Sequence, residues 1–171
     1  KFLMEVLMSN YTIDNIRTNK EVDVTKTNLW VWHANKIPPH IGISVGNRYF
    51  SLKANGKDKN VDLDSIKSIL DKKPIATLCF VLNLEMSARK VNEIFDTYST
   101  TVAGGVTCLN PIKTLVDCEG ASKLTELLQE LYASSIITQV IGFNIPEDFE
   151  GIQDYSIDDI HSRLTKLSSG K

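Results

Sequence analysis

The chain is expected to fold as α+β, an antiparallel sheet packed by helices, on three observations. Residues 40–53 alternate about a Gly46-Asn47 pair, the pattern of a β-hairpin. The run Ile75 to Leu82 is apolar on both faces and has the length of a core strand. Three stretches, 63–70, 88–98 and 122–132, carry their apolar residues at helical spacing. At 171 residues, with 42% apolar and 23% charged side chains, the sequence fits one soluble domain with a single core. That core is placed at about residues 29–145, with N- and C-terminal extensions.

Residues 1–28 mix short apolar runs with Asn- and Thr-rich segments and suggest one helix or strand at most. Leu29-Trp30-Val31-Trp32-His33 is aromatic and β-branched, hence a strand, and Pro38-Pro39 then imposes a turn or extended path. In the next strand Ile41, Ile43 and Val45 share one face, and His40, Gly42 and Ser44 the other. The hairpin returns through Tyr49 to Lys53, and Asn55 to Asn60 reads as a polar loop. Asp62 or Asp64 can cap a helix that ends near Leu70, before Pro74.

After the strand at 75–82, Ser87 caps a helix from Ala88 to about Tyr98. A Gly104-Gly105 turn leads to Thr107, a natural N-cap, and Pro111 is acceptable only in the first turn of a helix starting near Cys108. A helix from Ser122 to Tyr132 and a strand over Ile136 to Phe143 follow, then an acidic stretch, 147–159, and a short helix at 157–167.

Net charge is −2 and the lysines are scattered, which excludes the electrostatic footprint of a nucleic-acid binder. No apolar run has the length of a bilayer span, so no integral membrane segment is expected. The opening Lys1 to Met8 lacks a signal-peptide core, although a leader already removed would leave secretion as open as a cytoplasmic location. Cys79, Cys108 and Cys118 are odd in number and widely spaced, unlike a disulfide framework or a zinc site. With no ligand spacing for a metal and no P-loop or dinucleotide fingerprint, neither metal nor cofactor is expected.

The chemistry-bearing candidates are therefore Cys108 and His40. A thiol at a helix N-terminus sees the positive end of the helix dipole and free backbone N–H groups, both of which favour thiolate. An imidazole within reach would then serve as base. His33 and His161 read as surface residues, and Cys79 as part of the core.

His40-Ile41-Gly42-Ile43-Ser44-Val45-Gly46-Asn47 through Tyr49-Phe50, followed later by Thr107-Cys108-Leu109-Asn110, resembles the circularly permuted papain-like proteins of the NlpC type, including the lecithin retinol acyltransferase-like group. The likeness covers roughly residues 30–120. It implies a permuted papain-like arrangement, with Cys108 as nucleophile and His40 as base. The family's third polar residue falls on the strand after the hairpin turn, where this chain offers Ser51 or Lys53, or just beyond it Asn55. The resemblance implies a thiol-dependent hydrolase (peptidase or amidase) or an acyltransferase, acting on a peptide, amide or acyl substrate. Two alternatives stand beside it: an inactive papain-like interaction domain that binds another protein, and a lipid acyltransferase or phospholipase using the same dyad.

Overall fold

A computed structural model describes residues 10–18 and 20–169; the opening Lys1 to Met8 lies outside them. The described residues form nine strands and five helices, an α+β fold. Seven strands make the main sheet. In spatial order they are β2 (Ile16–Thr18), β8 (Ile137–Phe143), β7 (Thr77–Leu82), β3 (Thr27–Trp32), β4 (His40–Val45), β5 (Arg48–Lys53) and β6 (Gly56–Asp62). All neighbours are antiparallel except β2 and β8, so the sheet is mixed at one edge. A separate two-stranded ribbon pairs β1 (Tyr11–Thr12) with β9 (Gly151–Ile152).

The expected hairpin is present, with Val45 opposite Arg48 and Gly46 at φ +58°. The stretch read as a polar loop, Asn55 to Asn60, is instead largely β6, the edge strand paired with β5. Its side chains are half-buried or exposed, so no apolar alternation marks it. Two lysines, Lys57 and Lys59, blunt that edge.

Both faces of the sheet are covered. On one, Leu29, Val31, Ile41, Ile43, Phe50 and Phe80 pack against four helices: α2 (Ala88–Phe95), α3 (Leu109–Leu115), α4 (Leu124–Ala133) and α5 (Ile157–Ser168). On the other, Trp30, Trp32, Tyr49, Cys79 and Val81 pack against Leu63, Ile66 and Leu70 of α1 (Leu63–Lys72). Gly42 and Ser44, polar by alternation, belong to this second core. Trp30 Nε1–H donates to Ser44 Oγ at 2.8 Å, and the Tyr49 ring lies over Gly42. The Tyr49 hydroxyl in turn accepts from Trp32 Nε1–H at 2.8 Å.

Helix starts are well supported. Asp62 caps α1 through the Asp64 N–H, and Ser87 caps α2 through the Lys90 N–H. Ser156 and Asp159 form a reciprocal capping box at α5. The start of α4 is capped from a distance, since the Leu124 N–H donates to the Tyr155 hydroxyl. The C-terminal segment is thus part of the packing: Ile152, Tyr155 and Ile160 are buried in the first core, beyond the limit of 145 expected for it. Asp154, 4% exposed, accepts from Lys123 Nζ, Thr125 Oγ1 and its neighbour's N–H, which ties this segment to α4.

Candidate functional site

The N-terminal end of β4 and the start of α3 meet at one open cavity of about 880 Å³. His40, Ser51's neighbour Lys53, Asn55 and Cys108 all contribute to or border it, and α5 forms its outer wall through Arg163, Leu164 and Leu167. Four segments distant in sequence are therefore brought to one place by the sheet and by the docking of the C-terminal helix.

Cys108 is delivered by the turn at Gly104, φ +79°, onto the first turn of α3. Thr107 caps that turn: its hydroxyl accepts from the Leu109 N–H, and its own N–H donates to Asn110 Oδ1. The thiol packs on the first core and faces the Ile41 N–H of β4 as well as its own N–H. Burial nevertheless pushes the thiol up, and those two N–H groups only partly oppose it. The acidified thiol expected from the helix terminus alone is thus not what the structure gives. Desolvation of the charged form outweighs a seven-residue helix.

His40 stands opposite Trp32 in the β3–β4 register and so projects onto the second face, away from Ile41. Burial lowers its imidazole to about 4; Asp58 opposes that shift, while Lys53 and His33 add to it. The ring is neutral at physiological pH. Among the described residues no hydrogen bond joins His40 to Cys108; the two approach the cavity from opposite faces of β4.

Ser51 lies two residues from Tyr49 on β5, fully buried on the His40 face, and donates to Asp58 Oδ2 at 3.1 Å. Lys53 pairs with Asp58 Oδ1 at 3.0 Å. Asn55, in the β5–β6 turn, is exposed at the cavity border. The carboxylate that faces His40 is therefore Asp58, which the sequence reading passed over because it fell in the assumed loop. Nothing local in the sequence marks it, because β6 is an exposed edge strand whose pairing with β5 sets Asp58 opposite Ser51.

Elsewhere in the wall, Thr101 is buried and its hydroxyl has no partner among the described residues. His161, read as a surface residue, accepts at Nδ1 from the Gly104 N–H at 2.9 Å and so fastens α5 to the turn before Cys108. Cys79 and Cys118 are buried thiols outside the cavity lining. Among the described residues no three His, Cys, Asp or Glu side chains gather as metal ligands, and no helix is long and apolar enough to cross a membrane.

Compared with known proteins, the chain matches no family model, no curated protein and no solved structure.

Proposed function

We propose that the cavity is a thiol-dependent acyl site, in which Cys108 attacks an amide, ester or thioester carbonyl and His40 takes the thiol proton. This reading, with the permuted papain-like arrangement it entails, is supported by one observation above others. A cysteine on a capped helix start and a histidine one residue from its contact on β4 share a cavity large enough for a small acyl substrate. Both groups rest neutral, so the chemistry is general-base assisted rather than led by a preformed ion pair.

In the first half-reaction the Cys108 sulfur bonds to the acyl carbon and its proton passes to His40. The proton then goes to the departing amine, alcohol or thiol, leaving an acyl-thioester. Water or a second acceptor, deprotonated by His40, releases the acyl group and restores the thiol. Asp58 stabilises the imidazolium that forms in both steps. This mechanism requires the His40 ring to swing past the start of β4 toward the thiol when substrate fills the cavity, directly or through one water.

The rim carries exposed Ile37, Ile69 and Leu167, the apolar border that a lipid acyl substrate requires. A second reading, an interaction domain of the same architecture that binds without reacting, is favoured by the missing bond between His40 and Cys108. The deciding experiment offers p-nitrophenyl esters and acyl-thioesters to the protein and follows both release and intact mass. A +acyl adduct on Cys108, absent from Cys108→Ala and slowed in His40→Gln, is expected. Full turnover by a folded Cys108→Ala protein would exclude the thiol mechanism.

A further inference from the structure

Two cationic side chains, Lys36 and Arg163, line the cavity beside the imidazole of His33, which its surroundings hold toward the neutral form. His33 and Lys36 come from the turn between β3 and β4, and Arg163 from α5; all three are exposed and line the cavity. Neither Lys36 nor Arg163 takes part in any ion pair or side-chain hydrogen bond found among the described residues. They are close enough to act on one another: the His33 imidazole is lowered, first by burial and then by the charges of Lys36 and Arg163. Like charges drawn together from two separate elements raise the energy of the unliganded state.

Of the acids lining the cavity, Asp58 is paired with Lys53, and Asp159 is turned to the Ser156 N–H in the capping box of α5 and forms no ion pair with Lys36 or Arg163 among the described residues. The wall of the same cavity also holds Thr101, whose buried hydroxyl has no partner among the described residues.

We propose that the cavity mouth binds an anionic group of the substrate, a carboxylate or a phosphate, between His33, Lys36 and Arg163. As a statement about substrate this rests on the thiol reading above; as a statement about binding it stands without it. The planar guanidinium of Arg163 suits either anion in two-point contact, and the lysine adds a point charge. Acyl substrates carrying a negative group are then preferred over neutral ones of the same length.

The test titrates butyrate, inorganic phosphate and neutral butyramide into the full chain at constant ionic strength, following the His33 imidazole by NMR and affinity by calorimetry. At least one anion is expected to bind at least tenfold more tightly than butyramide and to raise the His33 pKa. Butyrate alone would identify a carboxylate, phosphate alone a phosphate. Lys36→Gln/Arg163→Gln should weaken anion binding at least tenfold and Arg163→Gln alone should raise the pKa of unliganded His33, while Cys108→Ala should bind as the parent does. Butyramide binding as tightly as both anions, no perturbation of His33 by either anion, or unchanged affinity in the double variant would overturn the proposal. Anion binding retained without turnover of any acyl substrate would leave this site standing and remove the thiol reading. Equal turnover of charged and neutral esters would do the reverse.

Discussion

Gly42→Ala is expected to be among the most destabilising single-methyl additions in this protein. A Cβ built at Gly42 would lie 2.2 Å from the Tyr49 hydroxyl oxygen, 2.5 Å from Cζ and 2.6 Å from Cε2, where ordinary contact begins near 3.4 Å. The ring would have to withdraw by about 1 Å, yet Tyr49 is 2% exposed, with Trp32 edge-on to it and β4 beneath it. Overpacking of this kind costs about 1–3 kcal/mol. Withdrawal also breaks the bond from Trp32 Nε1–H, and stranding a buried donor adds about 1–3 kcal/mol. The lower chain entropy of alanine in the unfolded state returns about 0.5–1 kcal/mol. The net loss is therefore about 1–5 kcal/mol, read by urea denaturation followed through Trp30 and Trp32 fluorescence. Tyr49→Phe supplies the control, because it removes both the nearest clash and the accepting oxygen. Gly42→Ala should cost about 1 kcal/mol less in that background. A Gly42→Ala protein within about 0.5 kcal/mol of the parent, or strict additivity with Tyr49→Phe, would refute the reasoning.

Further expectations concern the ionisable groups. His40, held neutral with a pKa of about 4 against about 6.5 when unfolded, contributes stability that is whole above pH 6.5 and lost as pH falls through 4. The loss is at most about 3 kcal/mol, since the side chain keeps some solvent contact, and a His40→Gln variant should show a correspondingly flatter pH–stability curve; identical curves would contradict the buried neutral imidazole. Burial of Cys108 predicts iodoacetamide labelling that keeps accelerating beyond the pH at which a free thiol levels off, whereas a rate plateau below pH 7 would reveal an acidified thiol after all. Asp154→Ala should cost about 2–3 kcal/mol by leaving the half-buried Lys123 and the buried Thr125 hydroxyl without their acceptor, and Asp154→Asn less; a loss under about 1 kcal/mol on calorimetry would show that the cluster is dispensable.

The hairpin was legible because its register is written in single residues: Ile41, Ile43 and Val45 alternate, and Gly46 takes the positive φ that the turn demands. The starts of α1 and α2 were legible for a similar reason, since Asp62 and Ser87 cap their own helices locally. What escaped were features held by distant partners. β6 is bound by backbone pairing to β5 at an exposed edge, so its lysines and aspartates look like a loop. β2 lies parallel to a strand more than a hundred residues away, and no local pattern announces such pairing. Alternation assigned Gly42 and Ser44 to a polar face, but a glycine beneath a tyrosine and a serine bonded to a tryptophan belong to a core. At the site, Cys108 and His40 could be nominated from residue type and position. Their placement on opposite faces of β4, the burial that raises the thiol, and the carboxylate of Asp58 all depend on packing.

The pairing of β1 with β9 bears on when the cavity can exist. Tyr11 meets Ile152, and the Asp154 N–H donates to Asn10 Oδ1 across 144 positions of sequence. Synthesis runs from the N-terminus at about 5–20 residues per second, so residues 10–12 wait roughly ten seconds or more for their partners to be made. Closing so long a loop is entropically costly, and the gain arrives only when the segment after β9 docks. The wall supplied by Tyr155 and α5 is therefore among the last parts to assemble on a nascent chain. Until then the start of α3 is open to solvent, and its cysteine is a thiol without a pocket.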